Sequence, residues 1–316
     1  MSPRHAIDIA AMALSVAIWL AGAVPVASAS SDHARPRTLP TSAWSLRRVG
    51  LPQAWKVTQG SPGTVVAVLD SGVDPSDPDL SHALVPGQDF VQGGADTSDD
   101  FGHGTLVAGV IAGRGALGAS PGACPRCRIM PVRVIDSSGQ ASADAIDSGI
   151  VWAVDHGARV VNMSFVMPTT DPGIASAVRY ALNHGVVLVA GAGNGGSETI
   201  GYPAGYPGVV SVAATDAADA LESWSTRGAW VSVAAPACSM SIGVGGAAAT
   251  SFCGTSSATA LVSGIVALAL STTASASAVL SALASTAVPI GSSVAWGRVD
   301  ANALVRIVAR SSVRHS

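Results

Sequence analysis

The sequence predicts a single α/β domain built on a doubly wound, mostly parallel sheet with helices on both of its faces. The first observation is a set of short β-branched runs that are almost continuously apolar, which is typical of strands covered on both sides. The second is that helical segments alternate with these runs, as right-handed βαβ units require. The third is composition, because 48% hydrophobic and only 12% charged residues in a chain of 316 suit a large buried core.

Five runs are predicted to form strands of this sheet. They are TVVAVLD (64–70), RIMPVRVID (128–136), ARVVNMS (158–164), GVVLVAGAG (185–193) and GVVSVAA (208–214). Ligands and reacting groups of an open α/β sheet lie at the carboxyl ends of its strands. The residues that follow each run are therefore the candidates for function.

Two helices between these strands are marked by their ends. Residues 142–157 carry apolar side chains close to a 3.6-residue period and stop at a glycine. Residues 171–185 repeat that plan, with Asp171 as the N-cap and Pro172 just inside the helix. No linker or internal repeat divides the chain, so we expect one domain over residues 44–309 and a C-terminal tail at 310–316.

The N-terminal segment has the pattern of a secretory signal peptide. A basic start precedes an apolar stretch at residues 9–24, and Ala27-Ser28-Ala29 fits the small-residue cleavage pattern. We expect a signal peptide over residues 1–29, then a polar arm over residues 30–43. The alternative is an uncleaved signal anchor. Cleavage predicts a secreted, extracellular protein with no membrane contact once the signal is removed.

The charge distribution argues against one class of partner. The chain has 17 Lys and Arg against 20 Asp and Glu, a net charge of −3, and no basic run. It therefore lacks the electrostatic footprint of a nucleic-acid-binding protein, and we expect no such partner.

Four cysteines lie at positions 124, 127, 238 and 253. An even number in an exported chain favours disulfides, with three possible connectivities. We favour Cys124–Cys127 and Cys238–Cys253 because each pair is local. The CPRC motif leaves open half of a zinc site or a redox pair. Zinc favours a second closely spaced pair, and a redox motif normally opens a helix after a strand, whereas CPRC leads into a strand.

Four polar residues stand at strand exits or helix entrances. Asp70 follows the first strand, His103 lies between two glycines where an apolar helix begins, Asn194 follows the strand ending in VAGAG, and Ser256 begins another helix. Each one alone is compatible with an ordinary turn or cap. Together they supply the nucleophile, base, orienting carboxylate and amide donor that a hydrolase needs.

Five blocks of the sequence resemble the subtilisin-like serine proteases, or subtilases. The blocks are AVLDSGVD (67–74), GHGTLVAG (102–109), VVNMSF (160–165), AGAGNGG (190–196) and GTSSA (254–258). They follow the family's Asp-His-Asn-Ser order, and the likeness covers roughly residues 44–309. It implies a subtilisin-like fold and a secreted serine endopeptidase that cleaves polypeptides through an acyl-enzyme. A monomer without a required cofactor is expected.

The resemblance also implies a role for each of these residues. Asp70 would orient His103, which would act as general base and then as general acid. Ser256 would be the nucleophile. The side-chain amide of Asn194 and the backbone N–H of Ser256 would form the oxyanion hole.

In the same way, the resemblance implies where the substrate binds. The substrate backbone would pair with Ser164, Phe165 and Val166 on one side and with Gly191, Ala192 and Gly193 on the other. These segments would also wall the primary specificity pocket, with Gly201 near its base. An uncharged pocket favours apolar side chains before the cleaved bond. Glu198, the one acid nearby, offers the alternative of a basic side chain.

Three features depart from the family's pattern. Ala260 stands where the family usually has proline, and Val166 where it usually has glycine. The short arm leaves no room for a folding pro-domain. In this respect the sequence resembles the mycosin branch of the family. Val166 and Ala260 keep open a catalytically weak or inactive scaffold that acts as a binding or secretion-accessory protein, although the intact Asp-His-Asn-Ser set argues against it. An esterase of the α/β-hydrolase type is disfavoured because its nucleophilic serine comes first in the chain.

An acidic cluster precedes His103. Its members are Asp74, Asp77, Asp79, Asp99 and Asp100. Two interpretations are open: a structural calcium site, which needs several converging oxygens, or solvated loop carboxylates.

Overall fold

A computed structural model of the protein describes residues 43–246 and 248–313. The predicted signal peptide and the cleavage site therefore lie outside the described residues, as does the arm apart from its last residue.

A parallel sheet of eight strands forms the centre of the fold. The strands are β1 (Val65–Asp70), β2 (Gln88–Asp89), β3 (Arg128–Arg133), β4 (Val160–Met163), β5 (Val187–Gly191), β6 (Val210–Thr215), β7 (Val233–Pro236) and β10 (Gly297–Arg298). Their order across the sheet is β10-β7-β6-β5-β4-β1-β3-β2, and every neighbouring pair is parallel. The predicted α/β fold with a mostly parallel sheet is confirmed, and the five predicted strands are β1, β3, β4, β5 and β6.

Eight α-helices lie in residues 43–246 and 248–313. They are α1 (Trp44–Arg48), α2 (Leu51–Ala54), α3 (His103–Ala112), α4 (Ala143–Asp155), α5 (Pro172–Asn183), α6 (Thr255–Leu270), α7 (Ala276–Thr286) and α8 (Ala301–Val313). The predicted N-cap of α5 is confirmed, because Asp171 accepts a hydrogen bond from the backbone N–H of Ile174 at 3.0 Å. The last helix continues into the segment that we expected to be a tail.

Helices cover both faces of the sheet, which explains why its strands are apolar throughout. Val66 and Val68 of β1 point into the core that contains α3, α6, α7 and α8. Ala67 and Leu69, on the opposite face of the same strand, point into the core that contains α4 and α5. Successive side chains alternate between faces, so a strand between two helical layers needs apolar residues at every position.

Helix α6 lies at the centre of the first core. All of its residues are buried except Ser256. A helix that is apolar all round is typical of a core position. Gly264 allows a close approach to the segment before β3, since a Cβ at this position would lie 2.7 Å from the Cβ of Ala123.

A separate hairpin lies beside the start of α6. Its strands are β8 (Cys238–Ser241) and β9 (Thr250–Cys253), which pair antiparallel. The Cys238–Cys253 disulfide joins the two strands, and Cys124–Cys127 forms the second disulfide. Both predicted pairings are present, and the CPRC motif is a disulfide rather than half of a zinc site.

The helices of the described segments were also compared with the length of a membrane span. None of them is both long enough and apolar enough to cross a bilayer.

Candidate active site

Asp70 and His103 form a buried pair at the carboxyl edge of the sheet. Asp70 is the last residue of β1, and His103 is the first residue of α3. The imidazole Nδ1 donates to Oδ1 of Asp70 at 2.8 Å, and the two side chains are 2% and 0% exposed. The contact assigns the proton of the neutral ring to Nδ1, which leaves Nε2 as the nitrogen able to accept a proton.

A second carboxylate anchors the start of α3. Oδ2 of Asp99 accepts hydrogen bonds from the backbone N–H and the hydroxyl of Thr105, and Oδ1 accepts from the Gly102 N–H. Oδ1 also accepts from the hydroxyl of Ser71, which in turn accepts from the Gly104 N–H. This network satisfies N–H groups in the first turn of the helix that carries His103. Sequence reasoning placed Asp99 only in an acidic cluster and missed this role.

The surroundings of His103 raise the pKa of its imidazole. Burial acts to lower this pKa, because a buried imidazolium loses hydration. The charge of Asp70, the hydrogen bond to that carboxylate and the charge of Asp99 act in the opposite direction and outweigh burial. The pair therefore favours a protonated ring more than an isolated histidine does.

Ser256 lies in the first turn of α6 and faces the residue that follows β4. Its hydroxyl donates to the backbone carbonyl of Ser164 at 3.0 Å. The hydroxyl of Ser164 donates to the backbone carbonyl of Ser256 at 3.2 Å. In the described residues the Ser256 hydroxyl thus donates to Ser164 rather than to His103.

Asn162 connects Ser164 to helix α6 through two side-chain hydrogen bonds. This residue was not singled out from the sequence. Its Nδ2 donates to the Ser164 hydroxyl at 3.0 Å, and its Oδ1 accepts from the hydroxyl of Ser263 in α6 at 2.9 Å. The residue is completely buried in β4. A buried amide inside the apolar run VVNMS was the available signal, since polar groups in a core need a defined partner.

Asn194 caps α6 from outside the helix. Its Oδ1 accepts from the backbone N–H of Thr255 at 3.0 Å and from the Thr255 hydroxyl at 2.9 Å. The residue at the N-cap position, Gly254, has no side chain with which to cap. Because Oδ1 of Asn194 is held by Thr255, the direction of its Nδ2 group is fixed as well.

Gly254 keeps the space beside two N–H donors open. A Cβ at this position would lie 3.5 Å from Nδ2 of Asn194 and 3.7 Å from the backbone nitrogen of Ser256. The glycine also has φ of 128°, a conformation that other residues rarely adopt. A side chain here would be strained and would crowd the point that both nitrogens approach.

Phe252 connects His103 to the hairpin. Its ring meets the imidazole edge to face, with centroids 5.4 Å apart. Phe252 precedes Cys253, so the disulfide that closes the hairpin also holds the aromatic neighbour of His103. Helices α3 and α6 pack against each other, which brings His103 and Ser256 to the same side of the sheet.

A pocket of about 340 Å³ opens beside Ser256 and Asn194. All seven residues predicted to contact the substrate line it, namely those at positions 164–166, 191–193 and 201. Glu198 is not part of the lining; it is exposed, and its backbone carbonyl accepts a hydrogen bond from Trp230. The pocket wall contains no charged side chain in the described residues.

The acidic cluster is internal structure rather than a set of solvated carboxylates. Asp74, Asp77, Asp79 and Asp99 are all buried. Most of their oxygens accept from N–H or O–H donors, as when Oδ1 of Asp79 accepts from Ala116 and Oδ2 of Asp74 accepts from Gly245. The interpretation as solvated carboxylates is therefore wrong for these four; Asp100 is exposed and pairs with Arg133.

A calcium site in this cluster stays a prediction. Calcium needs six to eight oxygen ligands, and most oxygens of these carboxylates already accept hydrogen bonds from N–H or O–H donors. Oδ2 of Asp77 and Oδ2 of Asp79 are buried without a hydrogen-bond partner, and burial raises the pKa of both carboxyl groups. Within residues 43–246 and 248–313, no group of three or more His, Cys, Asp or Glu is placed to hold a metal ion.

These observations define an α/β protein in which a buried aspartate–histidine pair lies at the carboxyl edge of a parallel sheet, on the same side as a serine that borders an uncharged pocket. Comparison with known families agrees with that class. The Subtilase family, Peptidase_S8, matches residues 61–299. The chain belongs to the subtilase family.

Three curated relatives give the scale of the similarity. The chain is 41% identical over 213 residues to the thermophilic serine proteinase of Bacillus sp. (strain AK1), covering 67% of this chain and 53% of that protein. It is 40% identical over 192 residues to thermitase of Thermoactinomyces vulgaris, covering 60% of this chain and 68% of thermitase. It is 36% identical over 221 residues to subtilisin Savinase of Lederbergia lenta, covering 70% and 81%. The chain thus spans about half of the length of the first relative.

Proposed function

We propose that this protein is a serine endopeptidase that hydrolyses peptide bonds through an acyl-enzyme. The observation that carries the proposal is the buried hydrogen bond of 2.8 Å between His103 and Asp70, at the same sheet edge as Ser256. Family membership and the names of the relatives, which include a serine proteinase, support the reaction class.

The proposed reaction begins when Nε2 of His103 takes the proton of the Ser256 hydroxyl. Oγ attacks the carbonyl carbon of the scissile peptide, and the Asn194 amide with the Ser256 N–H stabilises the oxyanion. The intermediate collapses, the C–N bond breaks, and the imidazolium gives its proton to the leaving amine. A water molecule then gives a proton to His103 and attacks the carbonyl carbon of the acyl-enzyme. The ester bond to Ser256 Oγ breaks, and the imidazolium returns its proton to Oγ.

Asp70 supports each proton transfer without taking the proton itself. Its carboxylate holds the Nδ1–H tautomer of His103 and stabilises the imidazolium that forms. The Ser256 hydroxyl must exchange its bond to the Ser164 carbonyl for one to His103.

We also propose that the enzyme is exported and acts as a monomer on extended polypeptides. The signal-peptide pattern and the two disulfides support an oxidising compartment. The pocket beside Ser256 lies between two backbone segments, at positions 164–166 and 191–193, with which an extended substrate would pair as an added strand.

A second candidate function is a weakly active or inactive scaffold that binds proteins or assists secretion. The observation that favours it is the engagement of the Ser256 hydroxyl by Ser164, since a nucleophile must instead donate to its base. The two candidates differ in whether Ser256 can be acylated or phosphonylated.

Labelling with a fluorophosphonate decides between them. The protease proposal expects covalent label on Ser256 that is lost in Ser256→Ala and strongly reduced in His103→Ala. Ser257→Ala is the matched control, because this neighbouring serine is buried and its hydroxyl has no hydrogen-bond partner. Folded wild-type protein that takes no label would overturn the protease proposal and favour the scaffold.

A further inference from the structure

Val166 occupies the pocket in a way that bears on substrate choice. The residue follows β4 on the extended segment at positions 164–166, and its half-buried side chain lines the pocket. Gly193 and Gly201 line the same pocket from other segments. These two glycines leave space that a neighbouring side chain can fill.

The two methyl groups of Val166 lie against both glycines. A Cβ at Gly201 would be 2.5 Å from Cγ1 of Val166, a separation that atoms do not tolerate. A Cβ at Gly193 would be 3.4 Å from Cγ2. The isopropyl group therefore already occupies the volume into which side chains from these two walls would project.

The remaining walls offer no charge to a substrate side chain. Apart from Val166, the apolar lining includes Phe165, Met167 and Ile200, and the polar lining consists of hydroxyl and amide groups such as Thr226 and Asn194. An uncharged pocket with apolar walls binds apolar side chains best. The width of the pocket, rather than its charge, then decides which apolar side chains it binds.

We propose that Val166 is a specificity-determining residue that restricts the pocket to small apolar side chains, such as alanine, immediately before the cleaved bond. This inference rests on the proposed protease function. Each carbon that a pocket fails to accommodate costs a substrate about 10- to 200-fold in kcat/KM. We expect a phenylalanine side chain to compete for the volume that the isopropyl group fills.

The test uses a series of peptide anilides that differ only in the residue before the cleaved bond, with alanine, leucine and phenylalanine compared. We expect wild-type kcat/KM to favour alanine over phenylalanine by about tenfold or more. Val166→Gly is expected to raise kcat/KM for phenylalanine by about tenfold or more while changing the alanine value little. Val166→Ala is expected to give an intermediate ratio.

A rescue from the opposite wall makes the test specific. Gly201 does not have a positive φ, so an alanine at this position is strained only by Val166. In the double variant Val166→Gly/Gly201→Ala, the new methyl group would enter the volume vacated by Cγ1. We expect it to restore discrimination against phenylalanine, an effect that general loosening of the segment would not produce.

Two controls separate failure of this inference from failure of the proposed function. Val91→Gly removes an exposed valine from a loop outside the pocket lining and should leave the alanine-to-phenylalanine ratio unchanged. Fluorophosphonate labelling of Ser256 reports catalytic competence in every variant without filling the pocket. Labelled variants with an unchanged ratio would overturn the role of Val166. Unlabelled wild-type protein would overturn the protease proposal, and this inference with it.

Discussion

Ser164 and Ser256 donate their hydroxyl groups to each other's backbone carbonyl, at 3.2 and 3.0 Å. The two residues are far apart in sequence, one after β4 and the other in the first turn of α6. The reciprocal bonds fasten the start of the central helix to the sheet edge. They also direct the Ser256 hydroxyl toward the Ser164 carbonyl.

Asn162 is expected to be important for stability because it supports this pair from inside the core. Asn162→Ala leaves the hydroxyl groups of Ser164 and Ser263 without their amide partner. The loss of a buried hydrogen-bond partner costs about 1–3 kcal/mol for each group affected. Urea unfolding should show a lower midpoint with an unchanged slope. Asn183→Ala, at an exposed position, should stay within about 0.5 kcal/mol of wild type; an equal loss in both variants would contradict this role.

Asn194 is expected to have two roles, as the cap of α6 and as an amide donor to the reaction, and two substitutions distinguish them. Asn194→Ala removes both the amide donor and the cap of α6, so kcat should fall about 10²–10³-fold, as for the same kind of donor in the relative subtilisin. The melting temperature should fall as well, since a lost cap costs about 1 kcal/mol. Asn194→Asp keeps an oxygen for Thr255 but lacks the donor. It should lose activity while retaining thermal stability.

A measured kcat for Asn194→Asp near the wild-type value would show that the amide is only a cap. Thermal unfolding measures the stability of each variant. Reaction rates divided by the number of active sites, counted by active-site titration of the same samples, give kcat.

On the acid side of the pH profile, we expect activity to be lost at a pH above the ordinary pKa of histidine. His103 must be neutral to accept a proton, and its surroundings raise its pKa. Activity should therefore fall as pH decreases through this raised value, measured as the pH profile of kcat/KM. Since the charge of Asp99 contributes to the shift, Asp99→Asn should move this loss of activity to lower pH. An exposed histidine variant, His184→Gln, should leave it in place.

The same shift has a consequence for folding stability. The pKa of His103 is higher in the folded state than in the unfolded chain, so protonation of His103 stabilises the folded state. This stabilisation is fully present below the unfolded pKa of about 6.5 and is lost as pH rises through the folded pKa. Stability that rises with pH across this window in wild type, relative to His103→Gln, would contradict the direction of the shift.

Chelation of divalent cations should not lower the melting temperature. Most oxygens of the buried carboxylates before His103 already accept hydrogen bonds from N–H and O–H donors, which leaves few of them to bind calcium. Differential scanning calorimetry with and without EDTA checks this expectation. A melting temperature that falls with EDTA, recovers with added calcium and no longer responds in Asp79→Asn would contradict it and locate a cation at Asp79.

The sequence by itself determined the alternation of strands and helices. The reason is local: strands buried on both faces are apolar at every position, and Asp171 and Pro172 mark a helix start within a few residues. It did not predict β2 or β10, because strands of two residues carry no periodic pattern and exist only through pairing with a neighbour. The four-residue strands β7, β8 and β9 were not predicted either. The order Asp70, His103, Asn194 and Ser256 was also readable, since each residue follows a strand or begins a helix.

Only the tertiary structure decided how these residues are supported and what surrounds them. Asn162 reaches Ser263 in α6, and Asp99 reaches Ser71 after β1, because elements distant in sequence bring donors to buried oxygens. The sequence alone showed only an acidic residue at Asp99 and an apolar run around Asn162. The contact of Val166 with the empty side of Gly201 depends likewise on how two loops meet across the pocket. Hydrogen bonds and steric contacts act between atoms in space, so a residue's partners follow from the fold rather than from its own neighbours in the chain.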